Sequence, residues 1–434
     1  MKNSASHLVD RFGERKLLLI IAMVSFVGEL IGLRAPNVYG EPYLVAKNIV
    51  AGKGFVFAYP FTVPEVLTCY ITPLYTYLQV PFLWSGLGER GIQAMNLLFL
   101  QVGCYVTYRF FRQFTMAGVA VCIFVALSFY LPFWALSYTL EPNSLNLLLL
   151  VLTAQVLYSL AKSPSRRGWI TFGILVGIQL WVRPDILIGL ALFGVWLLIY
   201  ATTRWKETLS GLILATAIGL IMISPWTIRN YSIFHKFILV SANSGMNLYV
   251  GNSSASTGEI SDQPPTPEAI RLNTLISEYA QTHDQVEVDD YCKQIAEEWI
   301  VSHPVDALAL AMKKLQYHWF GRAELGTQYH YAYGALTGIY RAITFVLIAF
   351  GLYGLITLKD RFAKSLIVTI FIYSSAISTI FFVQSRHRTL KVDPFLVPLA
   401  VIGVARVAAK LNRNTTVKSS SAVFIPRSSS LPQP

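Results

Sequence analysis

Acidic residues stand beside apolar runs at several points of this chain, and the first is Glu41 in the segment RAPNVYGEPYLVAKNIVAGKGFVF. A carboxylate that is partly desolvated at a membrane boundary can act as a general base toward a hydroxyl group. The alternative is an acid in solvent near a helix start, where negative charge is favourable, and spacing alone favours this alternative. Glu65 and Glu141 are the next candidates for the same role.

Basic residues recur in three later segments, WVRPDIL, SPWTIRNYSIF and QSRHRTLKVDPF. Ionisable groups near membrane depth are costly and mark candidate functional sites. The cations of these segments are Arg183, Arg229, Arg386, Arg388 and Lys391. Arginine carries a planar fork of donors that binds phosphate through two hydrogen bonds, so the set predicts a site for a lipid phosphate or pyrophosphate. For each arginine alone, snorkelling or ion pairing is an equally good explanation.

No cofactor motif accompanies these charges. The seven histidines show no HExxH spacing, and the glycines match neither a phosphate-binding loop nor a dinucleotide fingerprint. The sequence therefore requires no cofactor, although a divalent metal shared by Glu41 and Glu141 is compatible with it. Tyr43, Asp185 and Asn230 adjoin the charged residues and are candidates for substrate contacts.

The elements that position these residues are predicted to lie in a membrane. Of the 434 residues, 54% are hydrophobic and 13% are charged, whereas soluble domains carry about 25% charged residues. The formal net charge of +12 comes mostly from residues that flank apolar segments. Such charges set topology and contact anionic lipid headgroups, so membrane lipids rather than nucleic acid are the expected partners.

Ten apolar runs of about 17–25 residues predict an all-α protein that crosses the membrane about ten times. The predicted spans are 16–33, 92–110, 115–137, 143–161, 168–183, 186–203, 207–225, 339–358, 363–383 and 393–410. Clusters of Lys and Arg in short loops stay on the cytoplasmic side, and all the clusters do so only if the doubtful segment 71–87 does not cross. We therefore predict an interfacial or re-entrant segment there.

This topology predicts four regions in a protein of the plasma (inner) membrane with both termini in the cytoplasm. Residues 1–225 form an N-terminal transmembrane domain, which includes a first outer, catalytic loop at 34–91. Residues 226–338 form a second long outer region. Residues 339–410 supply the last transmembrane helices, and the Ser-, Thr- and Pro-rich segment 411–434 is expected to be a disordered tail.

Taken in order, these segments resemble the polytopic glycosyltransferases of the GT-C fold, and above all the dolichyl-phosphate-mannose protein mannosyltransferase and aminoarabinose transferase group (glycosyltransferase family 39-like). The matching segments are YGEPYLVAKNIVAGKGF, ITPLYTYL, TLEP, WVRPD, SPWTIRNY, NSGMNLYVGNSSASTG and SRHR followed by DPF. Each is short, but their order is specific. The resemblance adds Tyr75, the tyrosine of the Pro-Leu-Tyr motif, to the substrate-site candidates.

The resemblance implies a mechanism and a set of partners. The donor is a sugar linked to polyprenyl phosphate, and the acceptor is a hydroxyl of a glycan, lipid or protein at the outer face. Glu41 takes the acceptor proton, the hydroxyl attacks the anomeric carbon in one inverting displacement, and arginines stabilise the departing phosphate lipid. The chain departs from the family at Tyr39, where an aspartate is usual.

Two other functions remain open from the sequence. A transporter or flippase for a lipid-linked solute predicts discontinuous helices and inverted repeats, neither of which the sequence shows; Glu29 inside the first span is the feature that suggests a proton-coupled carrier. A non-catalytic, divergent relative is compatible with the missing aspartate.

Overall fold

The computed structural model describes residues 13–32, 40–58, 65–200, 204–258, 266–320 and 333–421, without the side chains of 333–337, 385 and 413–421. These residues form helices and one small antiparallel hairpin, in which β1 (Val56–Phe57) pairs with β2 (Val66–Leu67). The helices of the first half are α1 (Glu14–Ile31), α2 (Glu41–Val50), α3 (Pro73–Trp84), α4 (Gly88–Arg112), α5 (Ala117–Ser128), α6 (Leu131–Ser137), α7 (Asn143–Lys162), α8 (Arg166–Val182) and α9 (Ile186–Tyr200).

Long helices continue in the second half of the chain. They are α10 (Trp205–Phe234), α11 (Ser244–Gly251), α12 (Pro267–Ala280), α13 (Gln285–Ser302), α14 (Pro304–Phe320), α15 (Tyr333–Thr357), α16 (Arg361–Ile380), α17 (Ser385–Lys391) and α18 (Asp393–Ser421). The prediction of an all-α polytopic membrane protein is confirmed.

A helix or a bent helix pair lies on each of the ten segments predicted as spans. Within the described ranges, five helices (α7, α10, α15, α16 and α18) are each long and apolar enough to cross a membrane. The pair α5 and α6, bent by 46°, provides a sixth if it is counted as one span. Helix α4 is less apolar because its interior contains Gln93, Asn96 and Gln101, and two of these amides serve the site described below.

The doubtful segment 71–87 forms the short helix α3. Its 12 residues extend about 18 Å, which is well short of a hydrocarbon core of about 30 Å. Trp84 near its C-terminus is 83% exposed, whereas Tyr75 and Gln79 on its other side are fully buried. The helix thus presents one polar and aromatic face to the bundle, mainly to α2, α4 and α8.

Helices α15 and α18 are joined along most of their length by close backbone contact. A Cβ on Gly354 would lie 1.9 Å from the carbonyl oxygen of Leu399, and one on Gly403 would lie 2.1 Å from that of Phe350. Such an approach is open only to residues without side chains, as in other tightly packed membrane helices.

The region between α10 and α15 is helical and is tied to the membrane helices by a buried lysine. Nζ of Lys314 on α14 donates to the carbonyl oxygens of Gly251 and Phe381, at 3.2 and 2.8 Å, and to Oδ1 of Asn252 at 2.8 Å. Gly251 ends α11 and Phe381 follows α16. One side chain therefore links three helices of the second half.

The last helix extends beyond the predicted span. Helix α18 continues to Ser421, into the segment expected to be a disordered tail, and residues 422–434 lie outside the described residues. Ser and Thr lower helix stability only moderately per residue. The apolar part of α18 is already helical, so the helix can extend into this run without a new nucleation step.

Candidate active site

Glu41 and Glu141 are brought together although they are far apart in the sequence. Glu41 is the first residue of α2, and Glu141 lies in the turn between α6 and α7. The Glu141 carboxylate lies directly against Gly40, so that a Cβ at this glycine would lie only 2.0 Å from Oε1. The absence of a side chain at residue 40 therefore permits two carboxylates from different segments to be close neighbours.

The turn that carries Glu141 is held by amide side chains from α3 and α4. Gln93 donates to the carbonyl oxygen of Tyr138 at 2.8 Å, and Gln79 donates to that of Leu140 at 3.3 Å. Gln79 and Gln93 are both 0% exposed. Buried carbonyl groups need such partners, and these bonds fix the backbone just before Glu141.

Tyr75 belongs to the same network rather than to an open surface. It is 0% exposed, and its hydroxyl donates to Oδ1 of Asn96 at 2.8 Å. The amide nitrogen of Asn96 in turn donates to the carbonyl oxygen of Thr139 at 2.8 Å. The motif tyrosine thus supports, through Asn96, the turn that carries Glu141.

Helix α17 and the α8–α9 turn bring three cations and the carboxylate of Asp185 to the end of the bundle that carries Glu41 and Glu141. A guanidinium nitrogen of Arg386 lies 3.7 Å from Oε2 of Glu141, and Nζ of Lys391 lies 2.8 Å from Oδ2 of Asp185. The third cation, Arg183, directly follows α8 and influences the titration of Glu141, Asp185 and Lys391. Four segments of the chain, the start of α2, the α6–α7 turn, the α8–α9 turn and α17, therefore meet at one end of the bundle.

Two members of this cluster, Arg183 and Glu41, have no ion pair with another residue that the structure describes. Arg386 is paired with Glu141 and Lys391 with Asp185. The side chains of Arg183 and Glu41 are half-buried, and among the described residues neither makes an ion pair or a side-chain hydrogen bond. One carboxylate and one guanidinium are therefore the groups of the cluster best placed to contact a substrate.

Burial and neighbouring charge set the protonation of the cluster. Burial and the charge of Glu41 raise the pKa of Glu141, although Arg386 and Arg183 oppose the shift. Burial acts in the same direction on Asp185, but Lys391 and Arg183 outweigh it and the pKa of Asp185 is lowered. Burial lowers the pKa of Lys391 in spite of Asp185. Groups with shifted pKa values are typical of functional sites.

Arg388 follows Arg386 by two residues, about 200° around α17, and makes its contacts with groups outside this cluster. It is 3% exposed and its guanidinium lies 3.3 Å from Asp393. It also donates to the hydroxyl of Tyr340 at 2.8 Å and to the carbonyl oxygen of Trp319 at 3.1 Å. Protein groups thus surround the guanidinium for which phosphate binding was predicted.

Arg229 and Asn230 also lie apart from the carboxylate pair. Arg229 donates to the carbonyl oxygen of Thr68 at 2.7 Å, and its guanidinium is 4.6 Å from the ring centre of Trp226. Asn230 donates to the carbonyl oxygens of Ile238 and Val240. Both residues hold loop backbone at the end of α10.

Glu65 and Tyr43 make local contacts in the first loop. Glu65 pairs with Lys53 at 2.7 Å and accepts from Asn48 at 3.1 Å, which braces the hairpin. Tyr43 is buried, and its hydroxyl donates to Glu89 at 2.9 Å. Tyr39 falls outside the described residues.

The network of Gln79, Gln93 and Asn96 was missed at the level of sequence. The available signal was the presence of amides inside runs that are otherwise apolar, with Gln93 and Asn96 three residues apart on one face of a helix.

Within the described ranges, no group of three or more His, Cys, Asp or Glu side chains could hold a metal ion.

Residues 69–228 match the family model described as dolichyl-phosphate-mannose-protein mannosyltransferase. The match includes Tyr75, Glu141, Arg183 and Asp185, and it confirms the resemblance to glycosyltransferases of the GT-C type. Together with the apolar helices, it supports a multi-pass membrane glycosyltransferase. A search of curated proteins gives no match.

Proposed function

We propose that this protein transfers a sugar from a polyprenyl-phosphate-linked donor to a hydroxyl of a glycan, lipid or protein acceptor. The reaction takes place at the end of the bundle that carries Glu41 and Glu141. In the proposed topology this end faces away from the cytoplasm, both termini are cytoplasmic, and the membrane is the plasma (inner) membrane. The observation that carries the proposal is the carboxylate pair beside three cations, Arg183, Arg386 and Lys391.

Glu41 is the proposed general base. It is half-buried and has no direct partner among the described residues, so that its carboxylate is open to an acceptor hydroxyl. As this oxygen attacks the anomeric carbon, its proton passes to Glu41, a glycosidic bond forms, and the bond between the sugar and the phosphate oxygen breaks. The donor leaves as the lipid phosphate. A single displacement of this kind inverts the anomeric configuration.

The proposed stabilisers of the leaving group are Arg183, Arg386 and Lys391. Negative charge grows on the phosphate oxygen as its bond to the sugar breaks, and fixed cations in a site of low dielectric stabilise that charge strongly. Glu141 keeps Arg386 in place, and Asp185 does the same for Lys391. Arg388, Arg229 and Asn230 hold backbone and other side chains, so they are not part of the proposed phosphate site.

The proposal is tested by sugar transfer with purified protein, labelled polyprenyl-phosphate sugars and a cell-envelope extract as acceptor. General-base catalysis contributes about 10²–10⁴-fold, so Glu41→Gln is expected to lower kcat by about that factor while the thermal unfolding temperature is retained. Glu65→Gln is the matched control, because Glu65 is an acid of the same loop that pairs with Lys53; it is expected to keep nearly full activity.

Other outcomes would overturn parts of the proposal. Equal transfer by wild type and Glu41→Gln would move the base to another residue, with Glu141 the next to test. No transfer from any donor, by a wild-type protein that is folded, would contradict the assignment as an enzyme. Movement of a lipid-linked solute across vesicles without a new glycosidic bond would favour a transporter.

A further inference from the structure

Glu29 is a buried carboxylate inside the first membrane helix, and it has only neutral partners. The residue is 0% exposed. Its Oε1 accepts from Oγ of Ser25 at 2.9 Å and from Nε2 of Gln101 at 3.0 Å. Within the described residues, the ion pair between α1 and α4 lies far from Glu29, between Glu14 at the start of α1 and Arg112 at the end of α4. A charge buried in a membrane protein is costly without a charged partner, so this carboxylate calls for a compensating cation.

The break between α5 and α6 brings the end of a helix to this carboxylate. Helix α5 ends at Ser128, and α6 continues at an angle of 46° to it. The carbonyl oxygen of Ser128 accepts from Oγ of Ser25 at 2.6 Å and from the indole nitrogen of Trp134 at 2.8 Å. The C-terminal end of a helix carries partial negative charge, and broken membrane helices use such ends to coordinate Na⁺ or protons. Both Glu29 and the end of α5 therefore favour a cation.

Three oxygen atoms of this cluster have no hydrogen-bond partner within the described part of the chain. They are Oε2 of Glu29, Oε1 of Gln101 and Oγ of Ser128. The three residues are at most 8% exposed, and each has another polar atom within 3.0 Å of Oγ of Ser25. Buried polar atoms without a partner are rare in proteins and often indicate a bound water or ion.

The number and kind of these atoms discriminate between possible ligands. A water molecule would bind the oxygens but would leave the carboxylate charge uncompensated. A proton on Oε2 of Glu29 would remove the charge but would supply one donor, so Gln101 or Ser128 would keep an oxygen without a partner. A divalent cation would leave a net positive charge in a site of low dielectric, and Mg²⁺ also retains several waters. A monovalent metal cation balances the single carboxylate and accepts all three oxygens as ligands.

We propose that Glu29, Gln101 and Ser128 form a Na⁺ site at the junction of α1, α4 and the end of α5. The close contacts among these groups favour the smaller Na⁺ over K⁺. The bound ion stabilises the junction, which also touches the proposed active site: the hydroxyl of Tyr138 donates to the carbonyl oxygen of Glu29 at 3.2 Å, and its own carbonyl oxygen is held by Gln93. Binding of Na⁺ does not depend on the proposed function.

The test measures thermal unfolding of the purified full-length protein in detergent, in NaCl or KCl at equal total salt and pH. A ligand that binds only the folded state raises its stability in proportion to occupancy. Na⁺ is expected to raise the unfolding temperature of wild type, in a saturable manner, by at least about 2 °C over K⁺. Glu29→Gln keeps the shape of the side chain and removes its charge, so this variant is expected to lose the response to Na⁺.

Ser128→Ala is the sharper variant because it removes an oxygen that makes no hydrogen bond within the described residues. In KCl its unfolding temperature should stay close to that of wild type. The Na⁺ concentration at half-response should rise at least about fivefold, as expected for one lost polar contact. The matched control is Glu207→Gln, which removes an exposed acid from the first turn of α10 and should keep the full response.

Each other result has a defined meaning. Equal stabilisation by NaCl and KCl would reflect ionic strength and would overturn the proposal, as would a full Na⁺ response in Glu29→Gln. If stability depends on pH through Glu29 but not on Na⁺, the carboxylate holds a proton and the Na⁺ site is wrong. If Glu29→Gln fails to fold, a Na⁺ response of Ser128→Ala equal to that of wild type overturns the proposal by itself. Loss of sugar transfer would contradict the proposed function and would leave the Na⁺ site standing.

Discussion

The charged residues on the two sides of helix α17 have different surroundings. On one side, Arg388 is surrounded by protein groups, and its partner Asp393 is 0% exposed. On the other side, Arg386 is 25% exposed and lies 3.7 Å from a carboxylate that is also close to Glu41. One helix of seven residues therefore carries both a closed ion pair and an open charged cluster.

The difference separates charges that build the fold from charges that can bind a ligand. A buried ion pair is tolerated when its remaining donors and acceptors are satisfied, and the two terminal guanidinium nitrogens of Arg388 donate to Trp319, Thr344 and Tyr340. In the open cluster, Glu41 and Arg183 lack direct partners among the described residues. A half-buried charge without a partner is energetically costly. Such charges are expected at a site where a bound substrate supplies the missing partner.

The largest expected effect in this comparison is on stability, on the closed side. Arg388→Met leaves the buried carboxylate of Asp393 without its cation, which costs about 3–5 kcal/mol when one partner of a buried pair is removed. The expected result is a large fall in thermal unfolding temperature, measured in detergent. The double variant with Asp393→Leu should recover much of the loss, and a single variant as stable as wild type would contradict the closed role of Arg388.

On the open side, the expected effect is on turnover. Arg183→Gln removes a cation proposed to stabilise the leaving phosphate, and loss of one such donor costs about 10²–10³ in kcat. The unfolding temperature should change little, because within the described residues the Arg183 side chain makes no hydrogen bond or ion pair. Arg167→Gln, at the exposed opposite end of α8, is the control. A large stability loss with unchanged kcat would make Arg183 structural.

A smaller effect on kcat and stability is expected for Tyr75, which supports the turn that carries Glu141. Tyr75→Phe leaves Oδ1 of Asn96 buried without its donor, which costs about 1–3 kcal/mol, and loosens the turn that carries Glu141. Both kcat and unfolding temperature should fall moderately. Tyr77→Phe is the control, because Tyr77 is on the same helix and is 46% exposed. Equal kcat and equal unfolding temperature for Tyr75→Phe and Tyr77→Phe would contradict the role of Tyr75 in supporting this turn.

The smallest effect is a change in pH dependence. Because the pKa of Glu141 is raised above its ordinary value of 4.5, the folded protein keeps a proton that the unfolded chain loses. The stability from this group is complete below that value and is lost as pH rises through the folded pKa. Glu41→Gln removes a charge that raises the pKa, so the loss of unfolding temperature across this window should shrink. An unchanged pH profile would show that the charge of Glu41 does not influence the pKa of Glu141.

The general architecture could be predicted from the sequence, because long apolar runs and flanking basic residues follow directly from the bilayer. The interfacial nature predicted for 71–87 agrees with a helix too short to span. What the sequence could not show was which charges face each other. Arg386 and Arg388 occupy different sides of α17, and which side faces the cluster depends on the packing of α7, α16 and α18 around this helix.

The sequence allowed a metal shared by Glu41 and Glu141 but did not predict that the two carboxylates are close neighbours. Glu141 is one hundred positions away from Glu41, and their approach depends on Gly40 and on the amides of α3 and α4. A single-sequence pattern holds no record of such a contact. The polar residues Gln79 and Gln93 lower the apolarity of their helices, and this local anomaly was the only sign of the network.

The three hydrogen bonds of Lys314 have a consequence for how the protein can move. They join α14, the end of α11 and the end of α16 through one buried cation. A rigid displacement of the outer helices away from the bundle would have to break all three bonds at once. An acceptor is therefore expected to enter by local rearrangement of the first loop, around α2 and the hairpin. Helices α11, α14 and α16 are expected to keep their relative positions.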